Sequence, residues 1–260
     1  MKSTPLPWLI ALSLFAISAS VSAQRTYETT AGYYEYGGSP AFSGPYNTSG
    51  WTAYAAGEWV SRYLQRGYQQ FGNNGAFAIL LGGGYGPIGA DLEQRIADGD
   101  GDREFRGTLR ASHNIHDLDF GLRATYISDL RGGPSNWDIG FGIGGALFYS
   151  IQWESEIYYG TEPQNFYADA GLTREWEFSS AWSLRASAGL GMNLGYQRDA
   201  SKGFDHAAFG LDIARAFGPQ SAIYGGVGHY VPINRDTNTY TDHRDLYDGY
   251  VFQFGVRWDY

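Results

Sequence analysis

The sequence predicts an all-β protein, a transmembrane antiparallel up-and-down β-barrel of about 12 strands. The first indication is the C-terminal segment, where large apolar residues alternate with polar or very small ones through Val251–Tyr260. A strict period of two gives a strand one apolar and one polar face. The second is composition: aromatic residues make up 17% of the chain and there are 37 glycines. After the N-terminal segment, no run is long and apolar enough for a spanning helix, whereas a barrel strand turns only every second residue to lipid.

The N-terminus predicts export. Residues 1–23 combine a basic start at Lys2, an apolar run over residues 8–19 and the small residues Ser22 and Ala23, which is typical of a signal peptide. The apolar run is shorter than the roughly 20 residues of a spanning helix, which argues against a membrane anchor. The chain has no cysteine, so no disulfide framework is expected. We therefore expect a protein of the cell outer membrane of a Gram-negative bacterium.

The remaining chain divides into an irregular extension, residues 24–50, rich in Tyr, Gly, Ser and Pro, and the barrel, residues 51–260. Alternation and turn signals place the strands. The predicted strands are 51–65, 75–85, 88–97, 103–113, 118–128, 137–149, 151–159, 165–176, 182–197, 204–215, 221–231 and 248–260. The connections should alternate between outer loops and inner turns, and each outer loop should be at least as long as the turns beside it.

The last strand also predicts how the barrel assembles. It closes the sheet, and its apolar face ends in an aromatic residue, a feature that resembles the signal read by the barrel-insertion machinery. The residues of this predicted assembly signal are Phe254, Val256, Trp258 and Tyr260. The expected partners are therefore outer-membrane lipid and the insertion machinery, and the oligomeric state is left open.

The segment Ser61-Arg-Tyr-Leu-Gln-Arg-Gly-Tyr-Gln-Gln70 resembles the opening motif of the TorF-like family of outer-membrane porins. The matching positions are Ser61, Tyr63, Arg66, Gly67 and Gln70. In that family the motif covers the end of the first strand and the start of the first loop. The resemblance implies a small barrel with channel function, in a family whose solutes are not defined, and it implies no catalytic residues.

Charged side chains on the inner face of the predicted strands are the candidate site. A charge facing lipid at the bilayer midplane would cost about 2–4 kcal/mol, so we expect these side chains to line the lumen. The predicted pore-lining residues are Asp91, Glu93, Arg95, Arg106, Arg110, Arg123, Glu154, Glu156, Asp169, Arg185, Asp212 and Arg257.

Two interpretations of this inner face remain open. In one, opposed arginine and carboxylate rows face a water-filled pore and give weak selectivity with a slight anion preference. In the other, internal salt bridges fill and close the barrel. Twelve strands lie between the eight that enclose only side chains and the 16–18 of open channels. The inward glycines of the predicted strands favour the pore, because they leave space; they are Gly140, Gly142, Gly144, Gly189, Gly191 and Gly195.

The sequence thus predicts an outer-membrane channel for passive diffusion of small hydrophilic solutes or ions, with no enzyme activity. A structural or adhesive barrel is one alternative. A hydrolase of the lipase or deacylase type is another, because His206 and His229 approach the outer rim near Asp205 and Asp212, although no nucleophile-elbow spacing supports it.

Cofactors, metals and nucleic acid are not expected. The glycine pattern at 140–145 lies within an alternating strand and so does not indicate a dinucleotide site. The acidic run at 98–102 has Arg103 and Leu109 where a calcium loop of the EF-hand type needs Gly and Glu. The net charge of -9 argues against nucleic acid as a partner.

Overall fold

The computed structural model describes residues 51–260 apart from 66–67, 70, 72–73, 100, 131–134, 148–150, 162–163, 196–201, 219 and 234–246. Fourteen strands follow one another along the chain. They are β1 (Trp51–Val60), β2 (Leu64–Gln65), β3 (Tyr68–Gln69), β4 (Ala76–Tyr85), β5 (Ile88–Ala97), β6 (Arg103–Ile115), β7 (Leu118–Asp129), β8 (Asn136–Ala146), β9 (Ile151–Thr161), β10 (Gln164–Glu177), β11 (Trp182–Leu194), β12 (Gly203–Ala216), β13 (Ser221–Pro232) and β14 (Gly249–Asp259).

Twelve of these strands form one closed antiparallel barrel, which confirms the predicted fold. Each barrel strand pairs with its neighbours in the chain, and β14 closes the sheet by pairing with β1, with Trp59 opposite Phe254. The two short strands β2 and β3 pair only with each other. Among the described residues, no helix is long and apolar enough to cross a membrane.

The outer face of the barrel is apolar along its middle and aromatic at both ends. Side chains such as Ile79, Leu122 and Phe141 are exposed there. At one end Trp51 packs on Tyr85, with ring centroids 5.1 Å apart. Aromatic pairs at the other end are Tyr126–Trp137 and Tyr159–Phe166. An apolar surface of this extent flanked by two aromatic girdles is the surface of a barrel that spans a bilayer.

The connections at the two ends of the barrel differ in length. We call one end the turn end, where the connections are 86–87, 116–117, 147–150, 178–181 and 217–220. At the other, the loop end, the connections are 61–75, 98–102, 130–135, 162–163, 195–202 and 233–248. The expectation that each outer loop is at least as long as the turns beside it is wrong at 162–163. There Thr161 still pairs with Gln164, so the strands leave only two residues between them.

Several predicted strand ends are also wrong, among them the end of 137–149, which the structure places at Ala146. The predicted strand 182–197 ends at Leu194, because Gly195 has a φ of 109° and its backbone N–H donates to the side chain of Asn193. The first barrel strand ends at Val60 instead of residue 65. Beyond Val60 the chain leaves the wall, and both Tyr63 and Leu64 are buried. In an extended strand, two consecutive side chains would point to opposite faces.

Candidate functional site

The inner face of the barrel carries the charged residues of the strands. Along β5 the side chains of Asp91, Glu93 and Arg95 are buried on the inner face. Ile88 and Leu92, which alternate with them, are exposed on the outer face. The same alternation in the other strands places all twelve predicted pore-lining residues on the inner face, and none of them is exposed. Their charges are therefore kept away from lipid.

The arginines of the inner face pair with nearby carboxylates instead of facing them across the lumen. Arg110 lies 2.9 Å from Asp91 of the adjacent strand, and Arg95 and Arg106 bind Glu93 and Glu104 of their own strands. The remaining pairs are Arg123–Glu156 at 3.4 Å and Arg257–Asp259 at 2.7 Å, and Arg185 lies opposite Asp212 in the register of β11 and β12. This local pairing matches the internal salt bridges of the second interpretation, and it joins residues along one strand, on adjacent strands or across one intervening strand.

Several polar contacts bridge a whole strand by passing over a glycine. Tyr54 of β1 donates to Asp91 of β5 at 2.7 Å, and a Cβ on Gly82 of the intervening β4 would collide with both side chains. Arg123 of β7 and Glu156 of β9 meet in the same way over Gly140 of β8.

The same arrangement recurs among β12, β13, β14 and β1. The Gln253 amide donates to Asp212 at 2.7 Å over Gly226, and the Tyr224 hydroxyl donates to Glu58 at 2.9 Å over Gly255. The space over Gly191 is taken by Tyr167 and His206. At Gly140 and Gly191, the expectation that inward glycines leave open space is therefore wrong, since neighbouring side chains occupy it.

Carboxylates outnumber arginines among the buried side chains of the described residues. The buried carboxylates are Glu58, Asp91, Glu93, Asp138, Glu156, Asp169, Asp205 and Asp212, and the buried arginines are Arg95 and Arg106. Four further arginines of the inner face, Arg110, Arg123, Arg185 and Arg257, are partly buried, so six arginines in all accompany the eight buried carboxylates. Within the described part of the chain, no group of His, Asp and Glu side chains is placed to hold a metal ion.

A lumenal feature that the sequence did not predict is the segment Ser61–Gln65, which we call the inner segment. Tyr63 is 2% exposed, and its hydroxyl donates to Glu104 at 2.7 Å and accepts a hydrogen bond from Arg106. Burial raises the pKa of this phenol well above its usual range, so Tyr63 remains a neutral donor. The alternation gives no signal for this segment, because a continued β1 would accept Tyr63 on its outer face and Leu64 on its inner face.

The matched residues of the family motif include part of this segment. Ser61 lies beside β14, where its backbone N–H donates to the Phe252 carbonyl at 2.8 Å and its hydroxyl accepts from the Phe252 N–H at 2.9 Å. The hydrogen bonds of Ser61 therefore fix the point at which the chain leaves the barrel wall. Those of Tyr63 fix the position of the inner segment in the lumen. The other motif residues, Arg66, Gly67 and Gln70, lie outside the described residues.

The two histidines of the hydrolase alternative do not share a site. His206 is fully buried on the inner face, next to a register shift between β11 and β12 that also turns Asp205 inward. His229 stacks on the exposed Tyr250 of the outer face, with ring centroids 4.4 Å apart. The sheet separates the two imidazoles, so they cannot act on one substrate.

The predicted assembly signal lies on the outer face of β14. Phe254, Trp258 and Tyr260 are exposed, Val256 is partly buried beside them, and the backbone of Tyr260 exchanges two hydrogen bonds with Ala53. Recognition of these residues by the insertion machinery stays a prediction. The signal peptide 1–23 and the extension 24–50 lie outside the described residues and stay predictions as well.

The fold is similar to that of solved outer-membrane porins. A KdgM porin matches with a TM-score of 0.53 at 6% identity, over 80% of this chain and 98% of that one. The NanC porin matches with a TM-score of 0.54 at 8% identity, over 79% of this chain and 98% of that one. A KdgM porin in complex with disordered oligogalacturonate matches with a TM-score of 0.52 at 8% identity, over 80% and 98%.

No family model and no curated protein matches the sequence. At such low identity, the structural likeness establishes a shared fold. The closed 12-stranded sheet, its apolar outer belt and its likeness to outer-membrane porins make the chain a multi-pass β-barrel of the outer membrane.

Proposed function

We propose that the chain is an outer-membrane channel for passive diffusion of small hydrophilic solutes or ions, with a preference for cations. The observation that carries this proposal is the contrast between an apolar outer face and an inner face lined by charged side chains. A barrel of this size has room for a narrow pore, and a wall rich in carboxylates attracts cations to it. The resemblance of Ser61 and Tyr63 to the TorF-like porins supports the same function.

The sign of the preference follows from the local pairing of the arginines. An arginine bound to a neighbouring carboxylate contributes little net field to the lumen, because the two charges cancel beyond a few ångströms. Even with the partly buried Arg110, Arg123, Arg185 and Arg257 included, the six inner-face arginines are fewer than the eight buried carboxylates, which favours a negative wall. The proposed cation preference replaces the slight anion preference expected from the sequence.

One of the similar porins offers a contrast. A KdgM porin has been solved with oligogalacturonate, a chain of acidic sugars. A polyanion would be repelled by an inner wall on which Glu58, Asp138 and Asp169 are buried together with other carboxylates. We therefore propose that the solutes of this channel are small cations or neutral hydrophilic molecules, and not acidic oligosaccharides.

The test is electrical recording of the refolded protein in a planar bilayer, after a gel on which unboiled protein migrates anomalously has verified folding. Under a KCl gradient we expect discrete current steps. The reversal potential should have the sign expected for a channel that is more permeable to K⁺ than to Cl⁻. A folded barrel that never conducts would contradict the channel and favour the structural or hydrolase alternatives. An anion-selective current would contradict the cation preference alone.

A further inference from the structure

The inner segment reaches opposite walls of the barrel with two consecutive residues. Tyr63 binds Glu104 and Arg106 of β6, whereas Leu64 belongs to one buried cluster with Ala208, Tyr230 and Val251 of β12, β13 and β14. In the closed sheet, β6 and β12 are separated by five strands in either direction, so they face each other across the lumen. Residues 63 and 64 therefore lie across the width of the barrel.

Specific contacts hold Tyr63 in this position. The guanidinium of Arg95 lies 4.1 Å from the centre of the Tyr63 ring and that of Arg106 lies 5.5 Å from it, distances at which cation–π attraction acts. The opposite edge of the ring packs against Phe71, with centroids 4.9 Å apart. Together with the Ser61 anchor on β14, these contacts give the segment a defined place inside the lumen.

Little space remains between the inner segment and the wall on one side. The cavity lined by Tyr63, Leu64, Arg95, Tyr230 and Gln253 has a volume of about 10 Å³, which holds no more than one water molecule. Side chains therefore fill most of the space on this side of the inner segment. The opposite side is formed by β7 to β11, whose inner face carries Asp138, Tyr158 and Tyr167.

We infer that Tyr63 and Leu64 form the constriction of the channel and set the size limit of its solutes. This inference rests on the proposed channel function. The inner segment occupies part of the lumen at this level, so solutes pass through the part of the cross-section that it leaves beside β7 to β11. The covered guanidinium groups of Arg95 and Arg106 serve to hold Tyr63 and do not contact the solute.

The double substitution Tyr63→Ala and Leu64→Ala tests the inference. Removal of both side chains should raise single-channel conductance by about twofold or more and admit larger polyethylene glycols, because conductance follows the narrowest section of a pore. The matched control is Tyr250→Ala, which removes an exposed aromatic ring of the outer face and should change neither quantity. Folding of each variant is verified by its migration on a gel without boiling.

A second variant gives an answer even if the double substitution prevents folding. Because the chain has no cysteine, Leu64→Cys introduces a single thiol, and its modification by a bulky thiosulfonate should reduce the current in steps. Tyr250→Cys should give no reduction. The constriction would be overturned by one combination of results from a wild-type barrel that conducts. The double variant would then keep the wild-type conductance and size limit, and modification of Leu64→Cys would leave the current unchanged. A folded wild-type barrel that never conducts would instead contradict the channel itself.

Discussion

The wall of β5 and β6 and the wall of β8 to β10 carry the same kinds of side chain and use them differently. On the first wall, Arg95 and Arg106 each pair with a carboxylate of their own strand and pack beneath or beside Tyr63. On the second, the inward carboxylates Asp138, Glu156 and Asp169 lie near one inward arginine, Arg123, which reaches over from β7. Charge on the first wall holds the inner segment in place, whereas we propose that charge on the second wall sets the ion preference of the lumen.

Glycines explain why this division is possible. On the second wall, Gly140 lets Arg123 and Glu156 meet across β8, so that a single arginine serves a strand that is not its neighbour. On the first wall, Gly89 gives space to the side chain of Arg110. A barrel that must keep many charges away from lipid can therefore pair them across a strand as well as along one.

Loss of the arginine on the second wall should have the largest effect on stability. Arg123→Gln removes the cation beside Glu156, whose side chain is 4% exposed, and should lower the free energy of unfolding by about 3 kcal/mol, the low end for a broken buried ion pair because Arg123 is itself 21% exposed. Urea unfolding in lipid vesicles, followed by tryptophan fluorescence, measures this loss. Arg103→Gln at the exposed start of β6 is the control and should cost little. Equal losses in the two variants would show that the Arg123 bridge contributes nothing.

Filling the space over β8 should have the next largest effect. In Gly140→Ala the new methyl group would collide with Glu156 and Tyr158, and such overpacking costs about 1–3 kcal/mol. Gly107→Ala is the matched control, because the nearest atoms to its methyl group would lie 3.7 Å and 3.8 Å away. The same unfolding measurement should therefore separate the two alanines, and a Gly140→Ala barrel as stable as wild type would refute the bridge over glycine.

Removal of one hydroxyl on the first wall should have the smallest effect. Tyr63→Phe keeps the ring between Arg95 and Phe71 but loses the hydrogen bonds to Glu104 and Arg106, which should cost about 1 kcal/mol. Tyr159→Phe, on the outer face where the ring packs on Phe166, is the control. If the two substitutions are indistinguishable on urea unfolding, the hydroxyl of Tyr63 does not hold the inner segment.

The features that follow from local pattern could be predicted, and those that depend on register could not. Alternation along β5 suffices to place Asp91, Glu93 and Arg95 on one face. The meeting of Arg123 with Glu156 depends on how β7, β8 and β9 are aligned, which alternation leaves undefined. Because alternation does not define the register, it also could not show that side chains of neighbouring strands occupy the space over the inward glycines.

The inner segment escaped prediction for a different reason. Continuation of the β1 pattern would point Leu64 inward and Tyr63 to lipid, and both would suit a barrel strand. Only contacts with distant strands, Glu104 of β6 for Tyr63 and the cluster of β12 to β14 for Leu64, make departure from the wall favourable. Such contacts join residues far apart in the chain, so no short window of sequence contains them.

The central claim is that the carboxylates of the second wall face a conducting lumen, and the reversal potential under a KCl gradient tests it most directly. The variant to compare with wild type carries Asp138→Asn and Asp169→Asn, two buried positions of that wall. Asp117→Asn, in the exposed turn between β6 and β7, is the control. We predict a cation-selective wild type, an unchanged control and a double variant whose reversal potential moves towards that of anions. A conducting barrel whose reversal potential is the same with and without these two charges would contradict the account.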